Sequence, residues 1–226
     1  MGKITNNRTD LGFTKLQRSI FDEFSKDNKL TKTFYFTGGT ALSAIYLKHR
    51  ESDDLDFFSE RGFDNTLIRN FIDKIAQKNN LEIRFTERYS TRIFNLINSK
   101  NQVVIKIDFN YYPYNRVKKG LKIKGVQIDS LNDIAINKLL TINDRTEVKD
   151  YVDLYFLLKE FTINGLIGGV KLKFKLELDI IMVAGNFAKV EQFEFMPRMI
   201  IPLTLDELKN FYIEKAKKIA KLVITD

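Results

Sequence analysis

Phe36-Thr37-Gly38-Gly39-Thr40-Ala41-Leu42, followed shortly by Leu47-Lys48-His49-Arg50-Glu51-Ser52-Asp53-Asp54-Leu55-Asp56-Phe57-Phe58, is the stretch from which the fold is read. A diglycine ends a β-type run, Thr33 to Phe36, and opens a short helix, Thr40 to Lys48. Free backbone N–H groups and the positive end of a helix dipole suit a polyphosphate. Asp54 and Asp56 flank Leu55 at the start of an apolar strand, and residues two apart on a strand point to the same face. Such a pair suits a divalent cation. A diglycine alone marks any strand-to-helix turn; its weight comes from the carboxylate pair that follows one short helix later. Gly38, Gly39 and Thr40 are therefore candidate phosphate-binding residues. Ser52 either donates to a phosphate oxygen or caps a turn.

Transfer of a nucleotidyl group needs little covalent help from protein. Metal ions bridge the triphosphate and lower the pKa of the attacking hydroxyl, and a third carboxylate on a neighbouring strand completes their clamp. Asp108, within Val103-Val104-Ile105-Lys106-Ile107-Asp108-Phe109, is the candidate. Burying an unpaired carboxylate there costs several kcal/mol, roughly, which favours a functional role. A solvated face of an edge strand is the bland alternative. Asp54, Asp56 and Asp108 are the expected metal ligands. Arg50 is expected to pair with the Asp53–Asp56 acidic cluster, and His49 is a poor choice for a base.

A second constellation runs through Asp133, Lys138, Arg145, Lys149-Asp150 and Asp153. Lys138 falls on one helix and Asp153 on the next, so a helical hairpin brings both to one place. Lys138 can then neutralise triphosphate charge as a point cation. A Lys149–Asp153 pair four residues apart on a helix surface explains the same residues without function. The pattern alone does not choose.

The 226 residues suffice for one large domain or two small ones. With no cysteine and one histidine, thiolate and histidine-clustered zinc sites are excluded. A metal here is held by carboxylates, which points to Mg²⁺ or Mn²⁺. The net charge of +8 suits a nucleic-acid partner. Basic runs at Arg116-Val117-Lys118-Lys119, Lys122-Ile123-Lys124 and Lys215-Ala216-Lys217-Lys218 can guide an RNA backbone, or can be solvated surface. The first residues lack the apolar run of a signal peptide, and Asn6 stands where a myristoylation motif wants Ser or Thr. No segment approaches the ~18 apolar residues of a membrane span, so a cytoplasmic protein without membrane contact is expected.

Hydrophobic spacing predicts helices over residues 11–29, 65–77, 131–142, 150–159, 171–183 and 205–222, with Asp129-Ser130 capping the third and Thr204 with Glu207 boxing the last. Strands are expected at Leu81–Thr86, Arg92–Ile97, Val103–Phe109 and near Gln127-Ile128. The fold class is α+β. A nucleotidyltransferase-type mixed sheet flanked by helices is expected over residues 1–128, and a mostly helical C-terminal lobe over 129–226.

These motifs resemble the AbiEii/AbiGii toxin family of nucleotidyltransferases, within the DNA polymerase β-like superfamily. The resemblance runs through Gly38-Gly39-Thr40-Ala41-Leu42, His49-Arg50-x-Ser52-x-Asp54-x-Asp56-Phe57-Phe58 and Ile107-Asp108-Phe109. It continues through Asp133-Ile134-Ala135-x-x-Lys138-Leu139, Arg145-x-x-x-Lys149-Asp150-x-x-Asp153-Leu154-Tyr155 and Met196-Pro197-Arg198-Met199. It implies a bilobed enzyme using an NTP with magnesium. Asp54 and Asp56 match the metal-binding Asp-x-Asp, Ser52 the serine near the phosphates, Lys138 the nucleotide-binding lysine, and Asp153 the aspartate completing the site. Strand alternation about Leu55 favours Asp54 and Asp56 over a pair that includes Asp53. The resemblance further implies the toxin of a toxin–antitoxin or phage-defence pair, acting on tRNA or a protein acceptor, with a winged-helix antitoxin as partner. An inactive RNA- or partner-binding module and an NTP-dependent phosphotransferase are the alternatives on the same fold.

Overall fold

A computed structural model of the chain describes residues 12–224. The N-terminal features read from residues 1–11, Leu11 of the first helix among them, lie outside the described residues. Two compact units emerge. One holds the residues up to Lys48, Ser52–Asn115 and Lys119–Ser130; the other holds His49–Glu51, Arg116–Lys118 and the residues from Leu131 onward.

The first unit is built on a seven-stranded mixed sheet in the order β3-β4-β5-β2-β1-β7-β6. Its strands are β1 (Tyr35–Thr37), β2 (Leu55–Ser59), β3 (Glu82–Arg88), β4 (Thr91–Ile97), β5 (Val103–Tyr111), β6 (Lys122–Ile123) and β7 (Val126–Ile128). β2 runs parallel to β5 and β1 parallel to β7; the other pairs are antiparallel. Helices α1 (Lys15–Ser25), α2 (Asn28–Thr33) and α4 (Asn65–Asn79) accompany the sheet. The single helix expected over 11–29 is two. Thr14 and Gln17 form a capping box that starts α1 late, and Asp27 accepts from the N–H groups of Lys29 and Leu30 to begin α2 afresh.

Alternation gives the sheet two different faces. Leu55 and Phe57 are buried, whereas Asp56 and Phe58 are half-exposed. On the buried face Phe57 stacks between Phe24 of α1, at 4.2 Å, and Phe109 of β5, at 5.3 Å. Phe71 of α4 meets Phe109 edge-on. Each such ring removes enough apolar area from water to contribute roughly 1.5–3 kcal/mol, and this aromatic layer fixes which side of β2 and β5 faces inward. The other side is left to the polar alternates.

The second unit is helical: α5 (Leu131–Asp144), α6 (Val148–Leu157), α7 (Ile163–Phe174), α8 (Ile180–Ala188), a 3-10 turn (Lys189–Gln192) and α9 (Leu205–Ile224). The helix expected over 171–183 is interrupted. Lys175 adopts a left-handed backbone (φ 57) that ends α7, and Asp179 caps α8 by accepting from Ile181. Thr204 and Glu207 do form the capping box of α9. The Asp129 carboxylate accepts from the Thr37 hydroxyl at 2.8 Å and from the Ser130 N–H at 3.1 Å. The core of this unit gathers Leu154, Phe187, Leu208 and the fully buried Tyr151 and Tyr212. The hydroxyl of Tyr212 donates to the Tyr151 carbonyl at 2.7 Å, and that of Tyr151 to the Asn186 carbonyl at 2.6 Å.

Candidate active site

In the first unit, Gly38 begins α3 (Gly38–Thr40), which runs directly into a π-helical segment, Ala41–Leu47. π-helical turns are rare and gather at functional sites. Gly38 has φ 74, and a Cβ there would stand 2.0 Å from Asp56 Oδ2. Only glycine satisfies both the left-handed backbone and this approach. Thr40 is buried; its hydroxyl donates to the Asp54 carbonyl and meets Ser52 Oγ at 2.8 Å. Gln17 Nε2 donates to the Ser52 carbonyl at 2.8 Å. The diglycine turn and the Asp-bearing segment are thus tied together by Thr40 and Ser52.

Asp56 and Asp108 are register partners on the neighbouring strands β2 and β5. The edge-strand alternative for Asp108 is overturned: β5 lies inside the sheet, between β4 and β2, and Asp108 is only 8% exposed. Lys106, two residues earlier on the same strand, reaches Asp108 at 3.0 Å and Asp54 at 3.3 Å. Burial works against its charge, but the Asp108, Asp54 and Asp56 carboxylates outweigh that and raise the ammonium above its usual range. Among the described residues no three His, Asp or Glu side chains are grouped as a ready metal cage. The donor set nonetheless suits a hard divalent ion, and Lys106 supplies the positive charge that these carboxylates attract.

In the second unit, Asp153 is fully buried at the centre of an ionic network. It accepts from Arg50 Nε at 2.6 Å and Nη2 at 2.8 Å, meets His49 Nε2 at 2.7 Å and Lys138 Nζ at 2.6 Å. Lys138 also binds Asp150 at 2.7 Å, and Asp150 accepts from Arg145 at 2.8 Å. Desolvation opposes ionisation of Asp153, yet Lys138 and Arg50 hold its carboxyl well below the usual carboxylate range. The same contest lowers Asp150, through Lys138 and Arg145.

One pairing that the sequence leaves open is decided here. Arg50 forks onto Asp153, because its planar guanidinium satisfies a buried carboxylate bidentately. Lys149 pairs with Glu147 at 3.0 Å, and Asp153 faces inward to Lys138 instead. His49 is 0% exposed, and burial lowers its pKa, so it is a neutral member of the network.

Lys106 and Asp150 carry much of this geometry and were not read as site residues. The signal for Lys106 was its two-residue spacing from Asp108, which put both on one face. The buried Asp133, which binds Lys173 at 2.8 Å and the backbone N–H groups of Val117 and Lys118, was visible only as a motif letter.

Residues 21–219 match the model of the nucleotidyl transferase AbiEii toxin family, type IV toxin–antitoxin system. The chain belongs to this AbiEii family. It is a nucleotidyltransferase, and the family implies an NTP substrate and an antitoxin partner. An uncharacterised protein of Aquifex aeolicus (strain VF5) is 29% identical over 191 residues, covering 82% of this chain and 87% of that protein. A structure described as a putative nucleotidyltransferase from H. pylori aligns with a TM-score of 0.56 at 19% identity, over 92% of this chain and 95% of that one. JHP933 from Helicobacter pylori aligns with a TM-score of 0.54 at 20% identity, over 93% of each chain. These two likenesses show a shared fold and go no further. No helix among the described residues is long and apolar enough to cross a membrane.

Proposed function

We propose that this AbiEii-family enzyme transfers a nucleoside monophosphate from an NTP to an RNA hydroxyl, with tRNA as the acceptor class, in a reaction dependent on Mg²⁺ or Mn²⁺. The observation that carries this reading is the parallel register of Asp56 with Asp108, with Asp54 two residues earlier and a raised Lys106 ammonium beside them. Asp54, Asp56 and Asp108 would hold the divalent ion. Bound there, the ion would neutralise triphosphate charge and acidify the attacking hydroxyl.

The acceptor oxygen attacks the α-phosphorus, the bond from that phosphorus to the bridging oxygen breaks, and pyrophosphate leaves with the electron pair. Asp108 takes the hydroxyl proton. Gly38, Gly39 and Thr40 hold the phosphates at the start of α3, and Ser52 lies with them through its bond to Thr40. Lys138 takes the role of the family motif's nucleotide-binding lysine, and the buried Asp153, the aspartate that completes that motif, holds it through their 2.6 Å ion pair. The proposed cellular role is a cytoplasmic toxin in phage defence, countered by a winged-helix antitoxin.

The test is incubation of the purified chain with each α-³²P-labelled NTP, Mg²⁺ and total tRNA, beside an Asp54→Ala/Asp56→Ala variant. Label on RNA with wild type alone is the expected result. Transfer of γ-label instead, with release of nucleoside diphosphate, would establish a phosphotransferase. Label on neither RNA nor protein, together with metal-independent RNA binding, would establish a binding module.

A further inference from the structure

Strand pairing carries the carboxylate face of the sheet outward to an exposed edge. Asp108 is opposite Ile93 on β4, and Ile93 is opposite Thr86 on β3. Lys106 leads in the same way through Asn95 to Arg84, and Asn110 through Thr91 to Arg88. Directly opposed residues share a face, so Arg84, Thr86 and Arg88 stand on the same side of the sheet as Asp54, Asp56 and Asp108. With strands ~4.8 Å apart, Thr86 lies about 10 Å across the sheet from Asp108, and the two arginines are ~13 Å apart along β3.

Both arginines are exposed, and among the described residues neither has a carboxylate within ion-pair range. Arg84 makes one hydrogen bond, to Asn101 at 3.3 Å. Glu87 is on the opposite face and is engaged by Arg92 at 2.8 Å. Glu82, at the far end of β3, is the one carboxylate on this side of the strand.

The hairpin joining β3 to β4 adds a second feature. Tyr89 is 102% exposed and holds a left-handed backbone with φ 51. Asn or Gly would serve such a turn better, and nothing in the core uses this ring. An exposed aromatic beside Arg88, on an edge that also carries Arg84, is the equipment for a single nucleic-acid strand: cations for phosphates and a flat ring for a base.

We infer that the open face of β3 and β4 is the track of the RNA acceptor, with Arg84 and Arg88 binding separate backbone phosphates and Tyr89 stacking an unpaired base. This rests on the nucleotidyl-transfer reading for the direction of the strand, whose reactive end lies toward Asp108. Edge strands are dangerous templates for aggregation, and charge on them is a usual remedy. That role alone would not require an exposed tyrosine in a strained turn.

The test is fluorescence anisotropy of the full chain with a short fluorescein-labelled single-stranded oligoribonucleotide across a salt series, run beside the label-transfer assay. Arg84→Gln/Arg88→Gln is expected to weaken binding at least tenfold at low salt. It should also flatten the log–log salt slope by about 1.4, since each lost phosphate contact on a single strand removes about 0.7. Arg84→Lys/Arg88→Lys should restore the slope, and Tyr89→Ala should weaken binding without changing it. In transfer, the Gln pair should raise KM for RNA and leave KM for NTP unchanged.

Wild-type affinity and slope in the Gln pair would overturn the track, as would the same flattening in Lys122→Gln/Lys124→Gln at the opposite sheet edge. A wild type that binds no RNA and labels only a polypeptide would also overturn it. Loss of RNA binding in the Gln pair, with no transfer by wild type, would instead keep the surface and sink the proposed reaction.

Discussion

Asp56 and Asp108 stand side by side in parallel register, and the cation beside them belongs to the protein itself. Lys106 reaches Asp108 at 3.0 Å and Asp54 at 3.3 Å. A divalent ion on these carboxylates competes with that ammonium. Lys106→Ala is therefore expected to lose about 1 kcal/mol in chelator, the scale of partly exposed ion pairs, and to recover it as Mg²⁺ is added. A ligand at a hundred times its Kd stabilises by about 2.7 kcal/mol, so the magnesium-dependent rise in Tm should exceed that of wild type. Thermal melts across a MgCl₂ titration read this directly. Equal shifts in both proteins would separate Lys106 from the metal site.

Gly38→Ala attacks the same centre through the backbone. The new Cβ would meet Asp56 Oδ2 at 2.0 Å while the residue is held at φ 74. A non-glycine residue there costs about 1–3 kcal/mol, and the Asp56 carboxylate must move aside. Misplacing a reacting group by about 1 Å can cost on the order of a hundredfold in rate, so activity should fall far more than stability. Adding Asp56→Ala removes the two nearest clashing atoms and leaves the Asp56 Cβ contact at 2.9 Å, so the double variant should be more stable than Gly38→Ala alone. Urea unfolding with initial rates tests both parts; a fully active Gly38→Ala enzyme would detach Asp56 from the chemistry.

The sheet half of the fold was legible because its signals are local. Alternation about Leu55 and the diglycine each act over a few residues, and β4 and β5 fall within two residues of where spacing put them. Helix boundaries were less legible where a cap outweighs periodicity. Apolar spacing runs straight through residues 26–27 and 175–179, but Asp27 and Asp179 each offer backbone N–H groups a better partner than helix continuation does. Carboxylate partners were least legible. Whether Asp153 pairs with Lys149 or Lys138 depends on which face of α6 is buried, and that is decided by packing between helices rather than by spacing along one.

Lys138→Met should show what the buried network costs when broken. The substitution leaves Asp150 and Asp153, both 0% exposed, short of the cation they share. Removing one partner of a buried pair typically destabilises by about 3–5 kcal/mol, because the remaining charge stays desolvated. Asp150→Asn in the same chain removes one of the stranded charges, so the double variant should lose less than the sum of the single losses. Urea midpoints at neutral pH measure the cycle. An additive result would show that Lys138 and Asp150 act independently despite their 2.7 Å contact.

The single histidine makes the protonation state of this network directly observable. Burial is the largest influence on His49 and lowers its pKa; Asp153 pulls the other way, while Arg50 and Lys138 lower it further. Nε2 is 2.7 Å from Asp153, and Nδ1 has no hydrogen-bond partner among the described residues. A neutral ring with its proton on Nε2 satisfies the carboxylate and strands only an acceptor, whereas protonation would strand a buried N–H. Because the folded pKa lies below the unfolded value near 6.5, the contribution of His49 to stability is fully present above about pH 6.5. It is lost as pH falls from there through the folded pKa. The lone imidazole resonance should therefore titrate below 6.5, with nitrogen shifts of the Nε2–H tautomer. His49→Gln keeps a donor toward Asp153 and should abolish the part of the fall in urea midpoint below pH 6.5 that follows the imidazole titration. An imidazole titrating at or above 6.5, or a Gln variant retaining that slope, would mean that His49 enters the network as a cation.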